Sequence, residues 1–167
     1  MMTFANGIFP TWMLGLIPSV IWLIMIPANF IVDSLVIIGW TKVKKISDWK
    51  SVWSKSIWRL WIFGFIADFA AAGFLFALFY LWMALSSITN QEWMVDASDV
   101  IMYGWGSFFY GISGALIGGL IIYQLDRRWA FTKTNLAPAQ KKNAAFWMAI
   151  ITAPWLLSIP IDVLLFR

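Results

Sequence analysis

Apolar residues run almost unbroken through four stretches of this chain, at about 8–40, 57–85, 99–125 and 144–166, and polar residues gather between them. An α-helix needs about 20 predominantly apolar residues to cross a hydrocarbon core. The pattern therefore predicts an all-α, polytopic integral membrane protein. Its four transmembrane helices are expected over 18–39, 57–85, 99–125 and 144–166, in a single transmembrane helical domain covering 1–167. The first stretch exceeds what a span requires. Pro18 reads as the first helical turn, where proline is tolerated, and Pro27 as an interior kink. The fourth stretch carries Pro154 and Pro160. Residues 1–10 hold no basic side chain, so they do not read as a cleavable signal, and the first apolar segment is expected to be retained.

The polar connections give the orientation. Lys42, Lys44, Lys45, Lys50, Lys55 and Arg59 flank or fill the first, and Arg127, Arg128, Lys133, Lys141 and Lys142 the third. Together they are eleven of the chain's twelve basic residues. The middle connection holds Glu92, Asp96 and Asp99 instead. By the positive-inside rule both basic loops face the cytoplasm and both termini lie on the non-cytoplasmic side. Trp40, Trp49, Trp53, Trp58, Trp61, Trp129 and Trp147 gather around the basic side, as an aromatic belt should. The expected location is a bacterial-type cytoplasmic (inner) membrane.

Composition agrees with a lipid environment. Hydrophobic residues make up 62% of the chain and charged ones 12%, against roughly 45–50% and 25% in soluble domains. The chain has no cysteine and no histidine. A disulfide framework, a thiolate metal site and histidine proton chemistry are therefore excluded, and no metal or cofactor is expected. Proton chemistry within the membrane would fall to carboxylates. The net charge of +4 sits beside the membrane and is assigned to anionic lipids of the bilayer rather than to nucleic acid.

Asp68 is the residue least at home in its surroundings, a carboxylate inside the 57–85 run. Gly64, Ala67, Ala71 and Ala72 share its side of the helix, and small residues mark helix–helix contacts in lipid. Asp68 is thus expected to face the bundle, roughly 15 Å from Trp58 along the helix axis at 1.5 Å per residue. Two roles fit it. It is either a protonated or hydrogen-bonded fastener, with Ser107, Tyr110 or Ser113 as partners, or a proton or cation site. Asp33 lies seven residues before Trp40, with Asn29 one turn earlier on the same face; the two read either as a polar, ion-binding patch lining a vestibule below the Pro27 kink or, for Asp33, as a snorkelling or cation-paired acid near a helix end. Asp162, five residues before Arg167, reads as an interfacial acid.

The third stretch carries a continuous small face through Gly104, Ser107, Gly111, Gly114 and Gly118. That pattern favours close helix packing, and a narrow pore is the lesser alternative. In the first basic loop Ile46, Trp49, Trp53 and Ile57 recur at helical spacing. This predicts a short helix lying among lipid headgroups, with Lys42, Lys44, Lys45, Trp49 and Trp53 as headgroup-contacting residues.

No phosphate-binding glycine loop, zinc-protease motif or nucleophile–histidine set is present. The sequence therefore favours a non-enzymatic protein, an accessory or structural subunit of a larger secretion, transfer or transport complex. Partners would be other membrane subunits or further copies of this chain. The alternative is a small channel or proton/cation-coupled transporter using Asp68. The topology is open to test in this cysteine-free chain. Ser47→Cys is expected to resist a membrane-impermeant thiol reagent added outside intact cells, and Thr89→Cys to react; labelling of Ser47→Cys would reverse the orientation.

Overall fold

The computed structural model describes residues 21–89, Trp93 and residues 104–159. Within them the chain forms α1 (Ile21–Val43), α2 (Trp49–Thr89), α3 (Gly104–Leu125) and α4 (Pro138–Thr152). A five-residue π turn, Asp126–Ala130, continues α3, and a 3-10 turn, Trp155–Ser158, follows α4. No strand occurs among the described residues. Three helical stretches are long and apolar enough to cross a membrane: Leu23–Val43, Trp49–Thr89 and Gly106–Ala130. Only 17, 22 and 28% of their most apolar windows are buried within the protein. Leu23, Leu35, Phe109 and Leu120 are each at least 60% exposed. A helix apolar on all sides is either buried in protein or embedded in lipid, and these are not buried. The chain is an integral membrane protein.

Several sequence expectations change. The predicted surface helix around Trp49 and Trp53 is instead the first turns of α2, which runs without a break for 41 residues. Asp48 precedes α2 at its N-cap, and its carbonyl accepts from Val52 N–H at 3.1 Å; a carboxylate suits that end of the helix dipole. The predicted 144–166 span is not one helix. α4 begins early, at Pro138, with Gln140 reaching back to the Ala137 N–H at 2.9 Å. It stops at Thr152, because Pro154 lacks the N–H that would continue the ladder. At 15 residues, α4 is shorter than the roughly 20 a span needs. Residues 160–166 of that predicted span, and the part of the first span before Ile21, lie outside the described residues.

α1 passes through Pro27 without ending. Beside it the Trp61 indole donates to the Ile26 carbonyl at 3.1 Å. α1 closes in a Schellman turn: Lys45 N–H donates to the Lys42 carbonyl at 3.0 Å and Ile46 N–H to the Thr41 carbonyl at 2.9 Å. Lys45 takes φ 53° there, a left-handed conformation usually left to glycine.

The chain divides into two compact units. One contains residues 69–115 and 154–159 among those described. Its core is Ala71, Leu75 and Leu157, with Phe79 and Tyr110 against it. Gly111 meets the backbone of Leu157 and Ser158, and Gly114 meets the Leu75 side chain. The Tyr110 hydroxyl donates to the Leu75 carbonyl.

The other unit contains residues 21–68 and 116–153. Here α1 packs against α4, and α4 against the π turn. The core includes Ile37, Leu60, Ala67, Ile122, Phe131 and Met148. Gly119 brings α3 to within 3.5 Å of the Ala149 carbonyl, measured from a notional Cβ. Trp40 Nε1 donates to Asn143 Oδ1 at 2.9 Å, tying α1 to α4. Arg59 of α2 donates to the Trp129 carbonyl at 3.0 Å and to the Thr132 hydroxyl. A cation at a helix C-terminus satisfies orphan carbonyls and complements the dipole.

The two kinds of glycine should behave oppositely. A Cβ at Gly111 would overlap the Leu157 carbonyl, whereas nothing lies within 4 Å of one at Gly73. Gly111→Ala is expected to cost about 1–3 kcal/mol by overpacking, and Gly73→Ala to gain up to about 1 kcal/mol from helix propensity. Thermal unfolding of the two variants in detergent would measure this; equal midpoints would refute the close approach at Gly111.

Candidate functional site

Besides Asp48 at the start of α2, the second unit holds three acidic residues within its apolar segments, Asp33 on α1, Asp68 on α2 and Asp126 in the π turn. Asp33 lies midway along the Leu23–Val43 stretch and is 5% exposed. Ten helical residues follow it before α1 ends at Val43. Asp68 is half-buried, one residue from the midpoint of α2. Asn29 Nδ2 donates to Asp68 Oδ2 at 3.4 Å, the long limit of a hydrogen bond. One turn before Asp68, Gly64 leaves room for Asp33, whose Oδ2 would lie 3.7 Å from a Cβ at that position.

Asp126 is the third. It opens the π turn, is 1% exposed, and both carboxylate oxygens are enclosed without a hydrogen-bond partner. Ser34 Oγ, beside Asp33, is also buried without a partner. Desolvating a carboxylate without a donor or cation costs several kcal/mol, so the arrangement favours a bound positive charge. Among the described residues no three acids come close enough to hold a metal ion together.

The structure brings Asn29 on α1 to Asp68 on α2 and sets Asp33 beside Gly64, a juxtaposition the sequence did not indicate, since the partners expected for Asp68 lay on the third span. The proposed third-span partners have bonds of their own: Ser113 donates to the Tyr110 carbonyl at 2.6 Å, and Tyr110 to Leu75. Ser107 is buried. Of the small face, Gly111, Gly114 and Gly118 are buried, and Gly104 is the first residue of α3. In the basic loop Lys42 and Lys50 each place Nζ 5.7 Å from the Trp49 ring centroid, a cation–π distance. Lys44 and Lys45 are exposed, and Trp53 packs against the core. Asp162, Glu92, Asp96 and Asp99 lie outside the described residues.

Asp126 escaped the sequence reading because Arg127 and Arg128 follow it, which placed it in a loop. A signal was available. Gly114, Gly118, Ile122 and Asp126 recur every four residues, and all four are buried. The small face of α3 therefore continues through an acid.

Fold and site together define a polytopic helical membrane protein with carboxylates buried among its helices. Comparison with known proteins finds no matching family model, no matching curated protein and no matching solved structure.

The Asn29–Asp68 bond should be weak. A double-mutant cycle with Asn29→Ala and Asp68→Ala is expected to give a coupling of about 0.6 kcal/mol, typical of interhelical hydrogen bonds in lipid. Unfolding free energies in bicelles would measure it, and a coupling above about 2 kcal/mol would point to a stronger charged interaction.

Proposed function

We propose that the protein is a non-enzymatic, ion-handling membrane protein in which Asp33 and Asp68 bind a proton or monovalent cation, with Asn29 orienting Asp68. The observation that carries this reading is the meeting of polar groups from α1 and α2 inside apolar segments: Asn29 donates to Asp68 at 3.4 Å, and Asp33 Oδ2 lies 3.7 Å from where a Cβ would stand at Gly64, one turn before Asp68. Acids buried in apolar helices are costly and are kept for ion pathways and proton relays. Packing alone would be served at lower cost by apolar residues. The small face of α3, which suggested close packing either within the chain or between subunits, meets residues of the same chain at Gly111 and Gly114.

The topology we propose keeps the loops around 42–55 and 127–142 on the cytoplasmic side of a bacterial-type cytoplasmic membrane. The segment from Ala144 crosses as a helix broken at Pro154, which returns the C-terminus to the outside with the N-terminus. Anionic headgroups contact the exposed lysines.

An accessory-subunit role is the second reading, and one feature favours it. Leu78, Phe79, Leu81, Trp82, Leu85 and Tyr110 line an apolar groove in the first unit, a shape suited to an apolar helix of another membrane subunit.

Flux separates the two. Purified protein in vesicles should dissipate an imposed proton or sodium gradient, and Asp68→Asn should reduce the rate roughly a hundredfold, the usual contribution of a placed proton-transfer group. Full flux in Asp68→Asn would remove Asp68 from the pathway. A wild-type protein without flux that copurifies with a stoichiometric partner would support the subunit role.

A further inference from the structure

The α1–α2 contact that joins Asn29 to Asp68 continues along both helices as a line of aromatic rings. Trp58, Trp61, Phe65 and Asp68 follow one another on α2 at spacings of three, four and three residues, which sets them on one stripe of the helix. The rings touch in turn: centroids are 5.7 Å apart for Trp58 and Trp61, and 5.3 Å for Trp61 and Phe65. Phe30 on α1, next in sequence to Asn29, meets Trp58 at 5.3 Å and Trp61 at 6.2 Å. The Trp61 indole is held in place by its hydrogen bond to the Ile26 carbonyl. From Trp58 to Asp68 the stripe runs roughly 15 Å at 1.5 Å per residue. Trp58, at the end nearer the basic loop, is 61% exposed. Asp68, at the other end, is only half-buried, and Ile66 and Phe69 beside it in sequence are 47 and 43% exposed.

We propose that the cation taken by Asp68 is organic and lipophilic, an ammonium or phosphonium bearing aromatic or alkyl groups, and that it reaches the carboxylate from the lipid along this stripe. Aromatic rings attract cations, most strongly where water is excluded, and the carboxylate supplies the counter-charge in a setting of low dielectric. A small hard cation gathers a shell of oxygen ligands. Asp68 is accompanied instead by one amide and a row of rings, and no three acids converge among the described residues. A proton has no use for the rings. The chain's own cations do not fill the place. Asp68 forms no ion pair among the described residues, and Arg59, next to Trp58, is engaged by the Trp129 carbonyl and Thr132. Asn29 donates to Asp68 at 3.4 Å, and a bond of that length is readily given up to an arriving charge. A lipophilic cation needs no water-filled channel, which suits helices whose outer surfaces are apolar.

This inference rests on the ion-handling reading of Asp68 and names its substrate class, so the test reads binding and flux separately. Tetraphenylphosphonium serves as the probe and uncharged triphenylphosphine oxide as its control. Equilibrium dialysis of the full chain in detergent, with protein-free micelles subtracted, should show saturable binding of the phosphonium and none of the oxide. Asp68→Asn should weaken binding roughly a hundredfold, as loss of a desolvated charge partner does, and Asp68→Glu should restore most of it. Trp61→Leu should weaken binding roughly tenfold through the lost cation–π contact, while Trp147→Leu, on α4 and outside the stripe, should leave it unchanged. Equal binding by wild type, Asp68→Asn and Trp61→Leu would overturn the proposal. Proton or sodium flux in vesicles that needs Asp68, without saturable phosphonium binding, would overturn the organic cation and leave the ion-handling reading standing. Neither flux nor binding would overturn both.

Discussion

Lipid offers no hydrogen bonds, so every backbone and side-chain polar group within it has to be settled inside the protein. Much of this molecule follows from that one constraint. The exposed surface of α1, α2 and α3 is left to apolar side chains, and polar groups turn to their own helices or to neighbours. Thr41, Ser56, Thr134 and Thr152 donate to carbonyls three or four residues back. The Trp40 and Trp61 indoles find Asn143 and the Ile26 carbonyl. Against that background the unbonded oxygens of Asp126 stand out, because nearly everything around them obeys the rule.

The second unit shows how helices reconcile close packing with buried polarity. Gly64 gives Asp33 space beside α2, and Gly119 lets α4 approach α3. The apolar core through Ile37, Leu60, Ile122 and Met148 carries the packing, while the carboxylates sit among the same helices. Removing a glycine here would change both the packing and the electrostatics. Close packing and buried carboxylates are therefore written into the same helix surfaces.

Much of this was legible in the sequence, and the exceptions have physical causes. Hydropathy marked α1, α2 and α3, because length and apolar character are what lipid demands. Asn29, Asp33 and Asp68 were legible because polar residues in apolar helices are costly. The start of α2 was not: Ile46, Trp49, Trp53 and Ile57 have the spacing of a surface helix, and the same spacing serves the first turns of a long one. The end of α1 was obscured too, since its left-handed residue is Lys45 rather than glycine. Asp126 was hidden by its basic neighbours. Pro154 was visible, but in lipid a proline can kink a span or end it, and only the structure shows that α4 ends before it.

The length of α2 bears on the membrane itself. Its apolar part, residues 57–85, is roughly 43 Å long at 1.5 Å per residue, against a hydrocarbon thickness of about 30 Å. Tilting alone would need an inclination of more than about 40°, beyond the usual range of spanning helices. The remainder of the mismatch falls on the bilayer, which must thicken locally or admit the helix ends into its headgroup layer. An unbroken helix of this length acts as a ruler, setting the membrane thickness in which the protein is most at ease.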